Sequence, residues 1–151
     1  MISQYDLSDG SDDWTFVLLK PDALALGAVS RVVAKLTESG FRTVYWGEFW
    51  LRARDIDDWY PEIADETHYE ELVRYLTSGP SGIVSLAGDN CFAAARSVKR
   101  AIREEWGSGE LRNWIHCPDS VVDRDSEWEL FKPRFREFAL MPFSQTRARR
   151  P

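Results

Sequence analysis

Cysteine and histidine are scarce in this chain of 151 residues, which contains two of each. Cys91 and Cys117 form neither a disulfide framework nor a metal-ligand pattern, so we expect reduced, free thiols. Long apolar runs are missing as well, since none approaches the roughly 18 residues that span a bilayer. The N-terminus also lacks the basic-then-apolar pattern of a signal peptide. We therefore expect a cytoplasmic protein that does not bind membranes.

An excess of basic charge is absent too, because the formal net charge is −6 at pH 7. Proteins that bind nucleic acids attract the phosphate backbone with a positive surface field, so this charge argues against a nucleic-acid partner. A small phosphate ligand remains compatible with the composition, because such a ligand needs only a local cluster of basic groups.

The composition that is present is typical of one globular domain, with 44% apolar and 29% charged residues. We expect this domain over residues 14–144, between a polar N-terminal tail (residues 1–13) and a basic C-terminal tail (residues 145–151). No linker or internal repeat divides it. Seven tryptophans are many for this length, and we expect them to fill the core and interfaces.

The first half of the chain alternates between strand and helix signals. Residues 14–19 form a β-rich apolar run that stops before Pro21, where proline suits the first turn of a helix. Helically spaced valines and a leucine then predict a helix that Gly40 closes. Residues 41–51 are typical of a long strand, and Asp55 begins a short helical segment.

The second half repeats this alternation. The predicted elements begin with a helix from Tyr69 to the Ser78-Gly79-Pro80 stop and a strand at residues 83–86. A helix capped by Asp89 or Asn90 follows and continues through Val98. The last two elements are a strand at residues 110–115 and a helix that begins at Ser120 and Asp123 and reaches about Leu130.

This order of elements favours an α+β fold, a ferredoxin-like sandwich in which helices pack on one face of a four-stranded antiparallel sheet. A flavodoxin-like parallel sheet is the alternative. We prefer the antiparallel sheet because the strand at residues 41–51 is long and its pairing with residues 82–86 needs no crossover.

His116 is the candidate for chemistry, because it ends an apolar strand and precedes a helix whose first amides can attract phosphate. A lone histidine is more often a surface or hydrogen-bonded structural residue. The basic residues that could converge on it are Lys20, Arg96, Arg103 and Arg112. Arginine suits phosphate because its planar guanidinium group donates two parallel hydrogen bonds. For each of these residues singly, a solvated helix face or a surface ion pair is the commoner role, and spacing alone leaves the choice open.

Three segments in one consistent order resemble the nucleoside diphosphate kinase family. They are TFVLLKPDAL at residues 15–24, YEELVRYLTSGP at residues 69–80, and RNWIHCPDS at residues 112–120 followed by Glu127. The resemblance covers nearly the whole folded chain, from about residue 14 to about residue 133. Three linked blocks are a specific signal, whereas K-P-D by itself would be weak.

The resemblance implies a phosphotransferase that moves the γ-phosphoryl group of a nucleoside triphosphate to a nucleoside diphosphate through a phosphohistidine at His116, with ping-pong kinetics. Glu127 would orient the ring and Lys20 would contact the transferred phosphate. The resemblance implies further nucleotide-binding positions at Tyr60, His68, Leu72, Arg96, Arg103, Glu110 and Asn113. It also implies Mg²⁺ as cofactor, with Asp119 acting on it indirectly through the phosphates, and a homodimer or higher homo-oligomer.

The sequence departs from the family pattern around the expected phosphate site. Between Arg96 and Arg103 the chain is shorter by roughly ten residues, which exceeds ordinary loop-length scatter. The missing loop supplies a phosphate-binding threonine in the family, and it also packs between subunits in the larger assemblies. Cys117 and Pro118 stand where the family has glycine and serine, which removes a hydroxyl near the histidine and predicts slower transfer.

The expected base site departs as well, because His68 and Glu110 replace a phenylalanine and an apolar residue and thereby predict altered nucleotide selectivity. A non-catalytic nucleotide-binding or regulatory module on the same fold is the alternative function. An RNA-binding ferredoxin-like domain requires exposed aromatic side chains and a basic face, and the sequence indicates neither. The enzyme is favoured because Lys20, Arg103, Asn113, His116 and Glu127 are retained together.

Overall fold

The computed structural model describes residues 13–61, 68–106, 115–132 and 141–142. The expected tails therefore lie outside the described residues, apart from Asp13. In chain order the elements are β1 (Trp14–Leu19), α1 (Pro21–Ala25), α2 (Ala28–Glu38), β2 (Arg42–Phe49), α3 (Ala53–Trp59), α4 (Tyr69–Leu76), β3 (Ser81–Ala87), α5 (Cys91–Trp106), β4 (Ile115–His116), α6 (Val121–Phe131) and β5 (Met141–Pro142).

The sheet has the strand order β4-β1-β3-β2-β5, and every neighbouring pair is antiparallel. β1 lies along β3 from the pair Trp14 and Ala87 to the pair Leu19 and Gly82. The ferredoxin-like α+β fold is thus confirmed, and the parallel flavodoxin-like sheet is excluded. β5 is an additional edge strand beside β2, and its two residues are too few to show a strand pattern in the sequence.

Helices cover both faces of the sheet, not the single face expected. All six residues of β1 are buried, and alternate side chains enter different cores. Phe16 and Leu18 belong to the first core, which α3, α4 and α6 cover. Val17 and Leu19 belong to the second core, which α1, α2 and α5 cover. The reason is the continuous apolar run of β1, since a strand that is apolar on both sides must be covered on both sides.

Helix boundaries follow local chemistry. Pro21 is in the first turn of α1, and Gly40 closes α2 with a φ of 85°, as expected. The Ser120 hydroxyl accepts a hydrogen bond from the Asp123 amide at 3.2 Å and starts α6. α3 begins before Asp55, because the Asp55 carboxylate accepts from the Arg52 amide at 2.7 Å and so acts from the third helical position.

α5 is longer than the sequence pattern predicts, since it continues past Val98 to Trp106. An ion pair between Arg31 of α2 and Glu105 of α5 joins the two helices near that end. None of the described helices is both long and apolar enough to span a membrane.

Candidate active site

Strand pairing places His116 on the face of the sheet that carries the first core. His116 lies opposite Leu18 in the antiparallel pair of β4 and β1. Opposite residues of such a pair project to the same face, and Leu18 belongs to the first core. Lys20 follows Leu18 by two positions in extended backbone, so its side chain leaves the same face. Sheet geometry therefore places the predicted nucleophile and the predicted lysine on one side of the sheet.

Glu127 orients the imidazole ring of His116. Its Oε1 is hydrogen-bonded to Nε2 of the histidine, and the side chains are 21% and 11% exposed. A carboxylate only accepts hydrogen bonds, so in the neutral ring Nε2 carries the proton and Nδ1 keeps its lone pair. Nδ1 is thus the ring nitrogen with an available lone pair. The predicted pairing of His116 with Glu127 is present in the structure.

Among the described residues, the Trp59 ring packs against the histidine, and Tyr60 and Phe131 pack against Trp59 in turn. Trp59, the last residue of α3, meets the His116 ring edge to face, and it also meets Phe131 of α6 at a centroid distance of 4.9 Å. Tyr60 stacks on Trp59 with centroids 4.5 Å apart. Sequence reasoning singled out Tyr60 but missed Trp59. The only sequence signal for Trp59 was its position immediately before Tyr60.

A cavity of about 450 Å³ opens beside His116 between α3 and α6. His116, Cys117 and Glu127 form part of its wall, and no lysine or arginine of the described chain is among the lining residues. Its other lining residues are Asp58, Trp59, Tyr60, Asp119, Asp123, Ser126 and Leu130. The cavity wall is therefore acidic, and the groups able to attract phosphate lie elsewhere around the histidine.

Those basic groups lie on α5 and at the end of β1. Arg103 donates from Nη2 to the backbone oxygen of Ile115 at 2.8 Å, and Arg96 donates from Nη1 to the backbone oxygen of Asp119 at 3.2 Å. The two contacts lie on either side of His116 in the chain. Arg96, Arg103 and Lys20 therefore lie around the segment that carries the histidine.

Lys20 is only 4% exposed, and burial lowers its pKa to about 7, with a further lowering from the nearby Arg103 charge. Asp22 acts in the opposite direction. Burial also lowers the pKa of Arg103, while Cys117, Tyr60 and Tyr75 oppose the shift. Arg103 thus acts on Lys20, and Tyr60 acts on Arg103, so the three residues belong to one electrostatic cluster.

Cys117 is buried in the second core, whereas His116 faces the first. Burial raises the pKa of its thiol, and so keeps it protonated. A Cys-His nucleophilic pair is therefore not formed. Pro118 is also buried, at the position where the family pattern has a serine.

The base-site candidates are only partly described. His68 is exposed and immediately precedes α4, and Leu72 is buried on that helix in the first core, 7% exposed. Glu110, Arg112 and Asn113 lie outside the described residues.

Comparison with known proteins agrees with this geometry. The family model described as "Nucleoside diphosphate kinase" matches residues 13–136. A nucleoside diphosphate kinase of Brucella canis is 34% identical over 127 residues, which cover 76% of this chain and 91% of the relative. One from Archaeoglobus fulgidus is 29% identical, over 78% of this chain and 84% of the relative. The chain belongs to the nucleoside diphosphate kinase family, a family of enzymes that bind nucleotides.

Solved structures show the same fold. A halophilic nucleoside diphosphate kinase from Halobacterium salinarum in complex with CDP has a TM-score of 0.71 at 24% identity, covering 80% of this chain and 88% of that chain. The Aquifex aeolicus nucleoside diphosphate kinase has a TM-score of 0.64 at 23% identity, covering 79% of this chain and 94% of that chain.

Proposed function

We propose that this protein transfers the γ-phosphoryl group of a nucleoside triphosphate to a nucleoside diphosphate through a phosphohistidine at Nδ1 of His116. The observation that carries this proposal is the hydrogen bond from Nε2 of the ring to the Glu127 carboxylate. It leaves Nδ1 as the ring nitrogen with an available lone pair.

In the first half-reaction, the Nδ1 lone pair attacks the γ-phosphorus and a P–N bond forms. The bond from that phosphorus to the bridging oxygen breaks, and the nucleoside diphosphate leaves with the electron pair. Glu127 stabilises the positive charge that develops on the ring, because it accepts the Nε2 proton in a hydrogen bond. In the second half-reaction, a terminal phosphate oxygen of an acceptor attacks the phosphorus, the P–N bond breaks, and the kinetics are ping-pong.

The basic cluster provides the electrostatic part of this reaction. Lys20 contacts the transferred phosphate, and Arg96 and Arg103 hold the rest of the polyphosphate, since cations neutralise the charge spread over its oxygens. Tyr60 lies within the electrostatic range of Arg103 and completes this side of the site.

The nucleoside part is assigned by the family resemblance. We propose that His68, Leu72 and Glu110 receive the base and that Asn113 reaches the ribose. The replacement of a phenylalanine and an apolar residue by His68 and Glu110 supports altered nucleotide selectivity, because hydrogen-bonding groups that a bound base covers reject ligands that leave them unpaired. The family resemblance alone supports a homodimer or higher homo-oligomer and a cytoplasmic location.

Enzymes of this family generally use a divalent cation, and we propose magnesium. The described residues contain no group of three or more histidine, cysteine or acidic side chains able to hold a metal ion. Asp119 is one of three exposed carboxylates at the cavity beside His116, together with Asp58 and Asp123, and it is the one that the family resemblance implies for the metal. This fits magnesium, which is usually held by one or two carboxylates together with substrate phosphates. When bound, the ion would neutralise charge on the phosphates.

A labelling experiment tests the proposal. The protein is incubated with magnesium and γ-labelled ATP, the phosphoprotein is tested for acid lability, and the label is chased with a panel of nucleoside diphosphates. We expect acid-labile label on the wild type, unequal transfer among the acceptors, and no label on His116→Ala. The chain has two histidines, so the His68→Ala variant serves as the control. This variant should still be labelled, because the label is expected on His116.

Label that persists on His116→Ala would remove the proposed nucleophile. No label on the wild type with any nucleoside triphosphate would favour the non-catalytic nucleotide-binding or regulatory module, which the buried Pro118 at the serine position supports.

A further inference from the structure

A third cation of α5 lies between the two arginines already described. Residues 96, 99 and 103 are three and four positions apart, a spacing that places side chains on one face of a helix. Arg103 contacts the Ile115 oxygen and Arg96 contacts the Asp119 oxygen. α5 therefore runs antiparallel to residues 115–119, and Lys99, between the arginines, lies at the level of Cys117.

The charges around Lys99 agree with this placement. Burial raises the pKa of the Cys117 thiol, and among the charges that oppose this shift the effect of Lys99 exceeds those of Arg103 and Arg96. Lys99 also contributes to the lowered pKa of Lys20, after burial and Arg103. Lys99 therefore acts electrostatically on both side chains.

Basic side chains outnumber carboxylates among the described residues of this cluster. Its basic members are Lys20, Arg96, Lys99 and Arg103; Asp22 acts on Lys20, and Asp119 acts on the neighbouring Cys117. Asp22 also accepts hydrogen bonds from Tyr75 and from the Ala23 amide.

Lys99 itself is half-buried, and among the residues that the structure describes it has no hydrogen-bond or ion-pair partner. Like charges held close together repel, so this arrangement is unfavourable until an anion enters it. A polyphosphate supplies several negative oxygens at the spacing of neighbouring cations.

We propose that Lys99 is a phosphate-binding residue, whose ammonium group donates to the polyphosphate chain of the nucleotide beside Lys20 and the two arginines. The proposal rests on the proposed function, because it concerns the same nucleotide. Lysine suits this task as a compact charge on a flexible stem.

The first test compares Lys99→Met with Arg100→Met. Both substitutions remove one positive charge from α5, but Arg100 is exposed and lies about 100° further around the helix. For Lys99→Met we expect the KM for magnesium-ATP to rise about tenfold while kcat changes less than about twofold. This is the pattern expected when the lost contact stabilises the bound substrate and the transition state equally. Lys99→Arg should retain most of the affinity, and Arg100→Met should change KM less than about twofold.

The second test measures binding without chemistry. In a His116→Ala background, calorimetry with inorganic tripolyphosphate should show affinity about tenfold weaker for Lys99→Met than for Arg100→Met, and adenosine should bind both equally. In the absence of ligand, the unfolding temperature of the Lys99→Met variant should be no lower than that of its His116→Ala parent, because the substitution removes repulsion between like charges.

Two results would overturn the proposal: equal tripolyphosphate affinities for the two variants, or weakened adenosine binding in Lys99→Met, which would indicate a structural role. Failure of the proposed function is detected separately, because it appears as missing phosphohistidine label on the wild type. The tripolyphosphate comparison is independent of that label.

Discussion

The indole ring of Trp59 lies edge to face against the imidazole ring of His116, with centroids 5.0 Å apart and planes inclined at 78°. The same indole packs on Phe131 and Tyr60, so it is itself held in place. His116 is thus restrained by a hydrogen bond at Nε2 and by an aromatic contact on its ring. Together these contacts limit rotation of the ring, and so fix the direction of Nδ1.

Replacing Trp59 by alanine should slow phosphorylation of His116 about tenfold, because a loosened ring spends less time in the attacking geometry. The KM for the triphosphate should change less than about twofold, since Trp59 is not among the basic groups proposed to hold phosphate. Rapid-quench measurement of phosphoprotein formation gives both values. Trp59→Phe should recover most of the rate. Trp50→Ala is the control, because Trp50 is 44% exposed, and an equal loss there would contradict the positioning role.

Replacing Glu127 by glutamine should lower the rate of phosphohistidine formation on the order of 100-fold. The amide oxygen can still accept from Nε2, but it has no negative charge to stabilise the positive ring. Single-turnover labelling with γ-labelled ATP measures this rate. Glu129→Gln is the matched control, since the Glu129 side chain is 73% exposed. A rate in Glu127→Gln equal to that of the control would show that the hydrogen bond has no catalytic role.

The pKa of Lys20 predicts a pH dependence. Burial, assisted by Arg103, lowers this pKa to about 7, so the free enzyme loses the ammonium charge as the pH rises through that value. We expect kcat/KM for the triphosphate to fall above about pH 7, approaching tenfold per pH unit, because this ratio reports groups of the free enzyme. In Lys20→Arg the fall should be absent, since arginine stays protonated. A wild-type profile that stays flat to about pH 9 would contradict the requirement for a charged Lys20.

The same shift predicts an effect on stability. The pKa of Lys20 is about 7 in the fold against an ordinary value of 10.5, so between these values the unfolded chain binds the proton more strongly. The buried charge therefore destabilises the fold fully below pH 7, and this penalty disappears as the pH rises toward 10.5.

Lys20→Met removes the charge, and at pH 6 its free energy of unfolding should exceed that of the wild type by on the order of 2 kcal/mol. The difference should shrink when urea unfolding is repeated at about pH 9.5. A difference that does not change with pH would indicate that only apolar packing was gained. Lys132→Met, at a partly exposed position, provides the reference for a simple loss of charge.

Much of the fold was predictable because it depends on neighbouring residues. The apolar run of β1, the proline at the start of α1, the glycine that closes α2 and the Ser120 cap of α6 all act within one turn or one strand. The pairing of His116 with Glu127 was equally predictable, since the blocks that contain these residues resemble a known family in order and spacing.

Other features depend on residues that are far apart in the chain, so only the folded arrangement decides them. β5 forms because its backbone pairs with the edge of β2. The second covered face of the sheet depends on where α2 and α5 pack. Trp59 meets His116 because α3 packs beside α6, and Lys99 joins the basic cluster because α5 runs antiparallel to the segment after β4. Local sterics and hydrogen bonding establish helices and strands, whereas the meeting of distant side chains follows from the packing of whole elements.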